Sequence, residues 1–344
     1  MNSTEIAKLA GVSRSTVSRV INNYSNVPEE TKEKVLEVIN KYNYVPHASA
    51  RMLAGKKNKT LGLFLIDQKP ETKSSKVFVS DYFSKITSAV VDIANKYSYN
   101  VLVAIVGKNK DFKNVRELFY NRTISAGIFV GAKNDHPEII DLINQGFKIA
   151  IMDQDVKDSK DPFNKCIVVN ADSYSGAYDS TVYLIKLGHK KIAHITGDFT
   201  SNSSIKRLEG YKNALIDNNI NVKNSYIIKG LFTEESGYSC TKKIFLKENP
   251  TAIIVDNDTM CLGVMRALGE LNLKIPEDVS IIGFDDIEIS KYITPPLTTK
   301  RLNLFEMSEV LTSNIIKVVE EDSDYSAQYL IPVKLIERKS CKSI

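Results

Sequence analysis

The chain has 344 residues, 43% hydrophobic and 25% charged, with a formal net charge of +5. Those values describe a globular protein long enough for more than one domain. There is no apolar run of 18 residues, no apolar leader after Met1 and no CxxC pair among Cys166, Cys240, Cys261 and Cys341; a membrane span, a secreted disulfide framework and a zinc site are not expected, and a cytoplasmic location is.

The charge is unevenly placed. Residues 1–60 hold ten Lys/Arg against five Asp/Glu, and the remaining 284 are balanced at 36 against 36. A basic head on a neutral body is the pattern of a polyanion-binding segment.

Residues 1–22 read as two short helices joined at Gly11-Val-Ser. Asn2 and Glu5 have capping-box spacing, and Ile6, Leu9 and Ala10 supply an apolar face. Gly11 suits a sharp turn, and Ser13 is a natural cap for the second helix. There Val17, Val20 and Ile21 face inward, while Arg14, Ser15, Ser18, Arg19 and Asn22 face outward. Such a helix fits a DNA major groove, where arginine can bond guanine twice and small hydroxyls can reach base edges or phosphates. A third helix is expected from about 28 to 43, with Pro28 at its first position and Val35, Leu36, Ile39 and Tyr42 as its apolar stripe. Pro46 ends it, and 47–53 has room for two further helical turns before Gly55. A helix that short needs a partner to become ordered.

From Thr60 the pattern changes. Ile/Val-rich runs at 61–66, 101–106, 126–130, 149–152, 167–169, 192–195, 226–228, 252–255 and 279–284 alternate with amphipathic stretches. This predicts an α/β body with parallel sheets covered on both faces, in two lobes. Ligands in such folds sit beyond the carboxyl ends of the strands. Polar residues stand there: Asp153, the 197–204 segment followed by Arg207, Phe232, Asp256-Asn-Asp, Asp285 and Asp286. Carboxylates, an amide, an arginine and a ring suit a neutral polyhydroxylated ligand, although Asp and Asn also end strands and cap helices everywhere. No GxGxxG, GxxxxGK[ST] or GxSxG motif is present, so an enzyme is not expected; His189 and His194 read as structural.

The run AGVSRSTVSRVIN at 10–22 resembles the head of the lactose-repressor/galactose-repressor family of bacterial transcription regulators. The similarity continues through VPEETKEKV at 27–35, NYVP at 43–46, LGHKKI at 187–192, RLEGY at 207–211, ESGY at 235–238, VSIIGFDD at 279–286 and TPPLTT at 294–299. It therefore covers nearly the whole chain in order.

The resemblance implies an α/β protein in three parts. Residues 1–46 form a helix-turn-helix head of three helices, and 47–59 a hinge helix and linker. Residues 60–340 form a two-lobed, periplasmic-binding-protein-like body, with a first lobe of about 60–166 and 302–326 and a second of about 167–301 and 327–340. It implies a homodimer binding a near-palindromic double-stranded operator through Ser13, Arg14, Ser15, Thr16, Arg19 and Asn22. Arg14 and Ser15 occupy the main specificity positions and Arg19 that of a base-contacting arginine. In the hinge His47, Ala50 and Leu53 match minor-groove positions, with Leu53 as the wedge. Effector positions map onto Tyr82, Phe83, Asp153, Ser201, Ser203, Arg207, Phe232, Asn257 and Asp285. No cofactor or metal is implied.

The sequence departs from relatives at the polar 67–81 insertion, at Lys300-Arg-Leu, and in lacking a leucine-repeat tail, which favours a dimer. The expected function is an operator-binding regulator, a repressor, controlled by a sugar or sugar phosphate. The alternatives are a cytoplasmic sugar-binding or transport-type protein without operator function, or a regulator answering to a nucleobase or a protein co-regulator.

Overall fold

The computed structural model describes residues 1–21, 24–42, 58–67, 80–107 and 109–344. These form two compact units, Met1–Lys59 and Thr60–Ile344.

In the first unit, α1 (Ser3–Leu9), α2 (Arg14–Ile21) and α3 (Glu29–Lys41) pack around Ile6, Ala7, Val17, Val20 and Val35. The capping box of α1 is made: Asn2 Oδ1 accepts from the amides of Thr4 and Glu5, and Glu5 accepts from the Asn2 amide. Gly11 takes φ +64°, and Ser13 Oγ caps α2 by accepting from the Thr16 amide at 3.1 Å. Two apolar stripes differ from the expectation. Leu9, Leu36 and Tyr42 are exposed, and Ala7 and Val38 pack inward instead. The stripe of α1 centres on Ile6, Ala7 and Ala10, which puts Leu9 on its far side. Tyr42 lies at the C-cap, off the helical path. Pro28 sits at the N-cap position, not inside α3.

In the second unit the strands are, in chain order, β1 (Thr60–Ile66), β2 (Asn100–Val106), β3 (Ala126–Val130), β4 (Ile149–Met152), β5 (Ile167–Ala171), β6 (Ile192–Thr196), β7 (Ile227–Lys229), β8 (Ala252–Val255), β9 (Ser280–Asp285), β10 (Thr298–Arg301), β11 (Ala327–Ile331) and β12 (Lys334–Ile336). Its helices are α4 (Asp81–Lys96), α5 (Asn109–Tyr120), α6 (Pro137–Asn144), α7 (Ser173–Lys186), α8 (Asn202–Asp217), α9 (Glu234–Phe245), α10 (Asp258–Glu270) and α11 (Leu304–Glu321).

Two six-stranded sheets result, ordered β11-β5-β4-β3-β1-β2 and β12-β10-β9-β8-β6-β7. All pairings are parallel except β10 with β12. Side chains alternate between the two faces of each sheet, and helices cover both. In the first lobe Leu61, Leu63 and Leu65 face α4 and α11, while Phe64 and Ile66 face α5 and α6. In the second lobe Ile253 and Val255 face α9 and α10, while Ala252 and Ile254 face α7 and α8.

The lobe boundaries differ from the sequence reading. Residues 167–171 and 327–331 belong to the first lobe, because β5 pairs with β4 and β11 pairs with β5. The chain therefore passes between lobes at 171–173, 301–304 and 331–334. Two of these crossings are tied where the Asp172 amide donates to the Ile331 carbonyl at 2.8 Å.

Candidate operator face and effector cleft

The outer face of α2 carries the polar residues expected there. Ser13, Arg14, Ser15, Ser18 and Arg19 are exposed, and Val17 and Val20 are buried beneath them. Thr16 is half-buried, and its hydroxyl shares a bond of 2.8 Å with Ser13 Oγ. Arg14 Nε donates to Ser3 Oγ at 3.0 Å, which ties the start of α2 to α1. Asn22, His47, Ala50 and Leu53, and most of the 47–59 hinge, lie outside the described residues.

In the body, the nine positions expected to take an effector come together where the carboxyl ends of the two sheets face each other. Asp153 follows β4 with φ +64° and bonds across the lobes. Its carboxylate accepts from Ser201 Oγ at 2.7 Å, the Ser203 amide at 2.7 Å and Ser203 Oγ at 2.9 Å. Ser201 and Ser203 stand at the N-terminus of α8, where partial positive charge favours a carboxylate. Beside this latch the Asn134 amide donates to the Thr200 carbonyl at 2.9 Å. Asp153 is therefore occupied by the opposite lobe in this conformation.

Arg207, one turn further along α8, is buried. Its guanidinium lies 3.8 Å from the centroid of the Phe284 ring, and Nη1 donates to the Asp256 carbonyl at 2.5 Å. Asp285 ends β9 with φ +117°. Burial pushes its carboxyl well above the usual carboxylate range, and the Arg207 charge offsets that only in part. Burial likewise raises the Tyr82 phenol, with the charges of Asp153 and Asp285 acting the same way. Tyr82 thus senses residues from both lobes. It meets Phe83 edge-on at 5.4 Å, and the Phe83 ring packs against Gly131.

Phe232 adopts φ +60°, and its ring lies over Gly197. A Cβ at Gly197 would stand 2.0 Å from Phe232 Cζ, so any other residue there would displace the ring from its present seat. Asn257 caps α10 by accepting from the Met260 amide at 2.9 Å, and its amide nitrogen approaches the Phe232 carbonyl. Asp153, Phe232 and Asp285 are non-glycine residues held in backbone conformations that side chains rarely adopt. Such strain gathers at ligand sites.

The structure adds residues that the sequence reading did not assign. Among the described residues Thr200 Oγ1, Asn202 Oδ1 and Ser204 Oγ are buried with no hydrogen-bond partner, as is Nε of the already assigned Arg207. Their concentration in one short segment marks polar capacity left for a ligand. Asp256 is the other addition. Its presence after β8 was legible, but its partners, 49 to 62 residues away, were not.

A helix-turn-helix head joined to a bilobal binding body, with a polar cleft between parallel sheets, defines a ligand-responsive DNA-binding protein. Known proteins agree with both parts. Residues 4–47 match the bacterial regulatory proteins of the lacI family, and 181–341 match the periplasmic binding protein-like domain. The chain is 31% identical over 343 residues to the probable HTH-type transcriptional repressor ExuR of Bacillus subtilis, covering 99% of this chain and 98% of that one. It is 32% identical over 342 residues to the HTH-type transcriptional repressor PurR of Pasteurella multocida, covering 98% of each. Among solved structures, the lac repressor dimer bound to operator and the anti-inducer ONPF superimposes with a TM-score of 0.83, 27% identity and coverage of 100% of this chain and 99% of that one. The chain belongs to the lacI family of bacterial regulatory proteins. It is a DNA-binding transcriptional repressor with an effector domain, and the family is not one of enzymes. Among the described residues no helix is long and apolar enough to cross a membrane.

Proposed function

We propose that the chain acts in the cytoplasm as a homodimer on a near-palindromic operator and answers to a sugar or sugar phosphate bound between its lobes. The three-part division at 1–46, 47–59 and 60–340 supplies reader, hinge and sensor. Ser13, Arg14, Ser15, Thr16, Arg19 and Asn22 contact the major groove and its phosphates, and His47, Ala50 and Leu53 the minor groove. The exposed cationic face of α2 on a buried Val17/Val20 base supports the operator reading. A solved relative bound to operator as a dimer supports the assembly.

The effector reading rests on one observation. Asp153, Ser201, Ser203, Arg207 and Asp285 converge from both lobes beside Tyr82 and Phe232. Paired acceptors and donors next to aromatic rings match the hydroxyls and apolar face of a sugar. The Asp153 latch gives the ligand something to act on, because hydroxyls that bind Asp153 or the two serines change how the lobes hold each other. A ligand shifts the equilibrium only by its differential affinity for the two arrangements.

The test selects an operator from random duplex with the full-length protein, then repeats the gel shift with neutral hexoses, hexose phosphates and purine bases. A sugar that alters operator affinity at least tenfold is the expected result. An effect confined to purine bases would replace the sugar with a nucleobase stacked on Tyr82, Phe83 and Phe232. Equal affinity for selected and random DNA would end the operator reading.

A further inference from the structure

Beneath the cleft lies a buried polar pair that holds one expected ligand position, Arg207, and the Gly197 amide that leads into the serine segment. His194, in β6, and Asp256, just after β8, are both wholly buried, with Nε2 2.7 Å from Oδ1. His194 Nδ1 has no partner, so the ring proton belongs on Nε2, which donates to the carboxylate. The ring rests on Tyr211 at 4.9 Å. The second oxygen of Asp256 accepts from the Gly197 amide at 2.6 Å, and its backbone carbonyl accepts from Arg207 Nη1 at 2.5 Å. Burial would raise the Asp256 carboxyl, but His194 and Arg207 outweigh it and hold the group below its ordinary range.

We propose that His194 and Asp256 are positioning residues for effector binding, a reading that rests on the cleft being the effector site. Gly197 is where β6 turns into the segment carrying Ser201 and Ser203, and it is the surface on which Phe232 lies. Arg207 is the buried cation of the same wall. One carboxylate residue thus sets the backbone of the serine segment and the azimuth of the arginine, and His194 fixes that carboxylate. Replacing both members of a buried hydrogen-bonded pair by apolar groups of similar volume can be nearly neutral in stability. Its consequence here is geometric: removal would leave the lobe folded and the wall misaligned. The pair also joins the adjacent strands β6 and β8 to α8, so the wall is referenced to the sheet.

The experiment uses the full-length protein and three variants: His194→Gln, the double variant His194→Leu/Asp256→Leu, and Val264→Ala as a control in the same lobe that disturbs packing away from the cleft. Thermal shifts are measured with glucose, galactose, glucuronate, galacturonate, glucose 6-phosphate and hypoxanthine, and hydrogen exchange is followed without ligand. The side-chain amide of glutamine can replace the Nε2 donor, so His194→Gln should stay within about threefold of wild-type affinity. The double variant should lose at least tenfold for the sugar that stabilises wild type, and Val264→Ala should keep it. Without ligand, the Gly197 amide of the double variant should exchange at least tenfold faster than in wild type while Ile253 is unchanged. Wild-type affinity in the double variant, an equal loss in Val264→Ala, or unchanged protection at Gly197 would overturn the proposal. If none of the sugars stabilises wild type, the sugar reading fails, and the exchange at Gly197 still decides the role of the pair.

Discussion

Replacing Asp153 with alanine is the most direct test of how the lobes are held. The substitution removes three hydrogen bonds between lobes, from Ser201 Oγ, the Ser203 amide and Ser203 Oγ, at 2.7, 2.7 and 2.9 Å. A hydrogen bond to a charged group is worth about 1.5–3 kcal/mol when its partner is deleted. Asp153 is half-buried, and water takes over part of each bond when the lobes part, so the total is about 3 kcal/mol rather than three times the upper figure. That is roughly a hundredfold in the closing equilibrium. The nearby bond from the Asn134 amide to the Thr200 carbonyl reports this equilibrium, because it also spans the lobes but involves neither changed side chain. In Asp153→Ala the Asn134 amide should exchange roughly a hundredfold faster, with β3 amides such as Ile128 unchanged. Unchanged protection at Asn134 would refute the latch. Loss of protection throughout β3 would mean the substitution had loosened the lobe instead.

Other predictions follow from separate parts of the molecule. Arg19→Ala should cost roughly 1–3 kcal/mol on the selected operator and far less on random duplex, measured by competition gel shift; equal losses on both would make Arg19 a phosphate contact. Gly197→Ala should abolish the effector-induced thermal shift, because its Cβ would meet Phe232 Cζ at 2.0 Å and Ser204 Oγ at 2.4 Å; a retained shift would show that the ring does not need its present seat. Asp258 gives a pH signature. Burial raises its carboxyl to about 6, against hydrogen bonds from Thr299, Ser290 and the Ile287 amide. The folded chain then binds the proton more tightly than the unfolded chain, so this contribution is fully present below pH ~4 and is lost as pH rises through about 6. Chemical denaturation should show wild type losing up to ~3 kcal/mol relative to Asp258→Asn between those limits. A parallel pH dependence in the two proteins would refute the assignment.

The head and the body were legible to different depths, for a physical reason. Capping and periodicity act over three or four residues, so Asn2–Glu5, Gly11, Ser13 and the buried Val17 and Val20 could be read directly. Leu9 and Leu36 show the limit, since one hydrophobic residue beside a stripe can fall on either edge of it. Strand runs in the body were visible because both faces of each sheet are covered. Their membership in a sheet was not, because pairing is set by distant partners: β5 joins β11, about 160 residues later, register Ile167 to Ala327. The ends of the strands pointed to Asp153, Phe232 and Asp285, with Arg207 on the helix that follows the 197–204 segment. That Asp153 would spend its bonds on Ser201 and Ser203 could not be read, because the contact links positions 48 and 50 residues apart in different lobes. His194 looked merely structural because its partner Asp256 lies 62 residues away.

The three crossings between lobes carry a consequence for biosynthesis. The first lobe cannot complete its sheet until β11 has left the ribosome, because β5 would otherwise present an open edge along 167–171. The second lobe waits longer, since the last strand of its sheet, β12, spans 334–336. Among the described residues the head has no such dependence, as its core draws on residues between Ile6 and Ile39. A nascent chain thus holds every residue of its described head core before either sheet of the body can be completed.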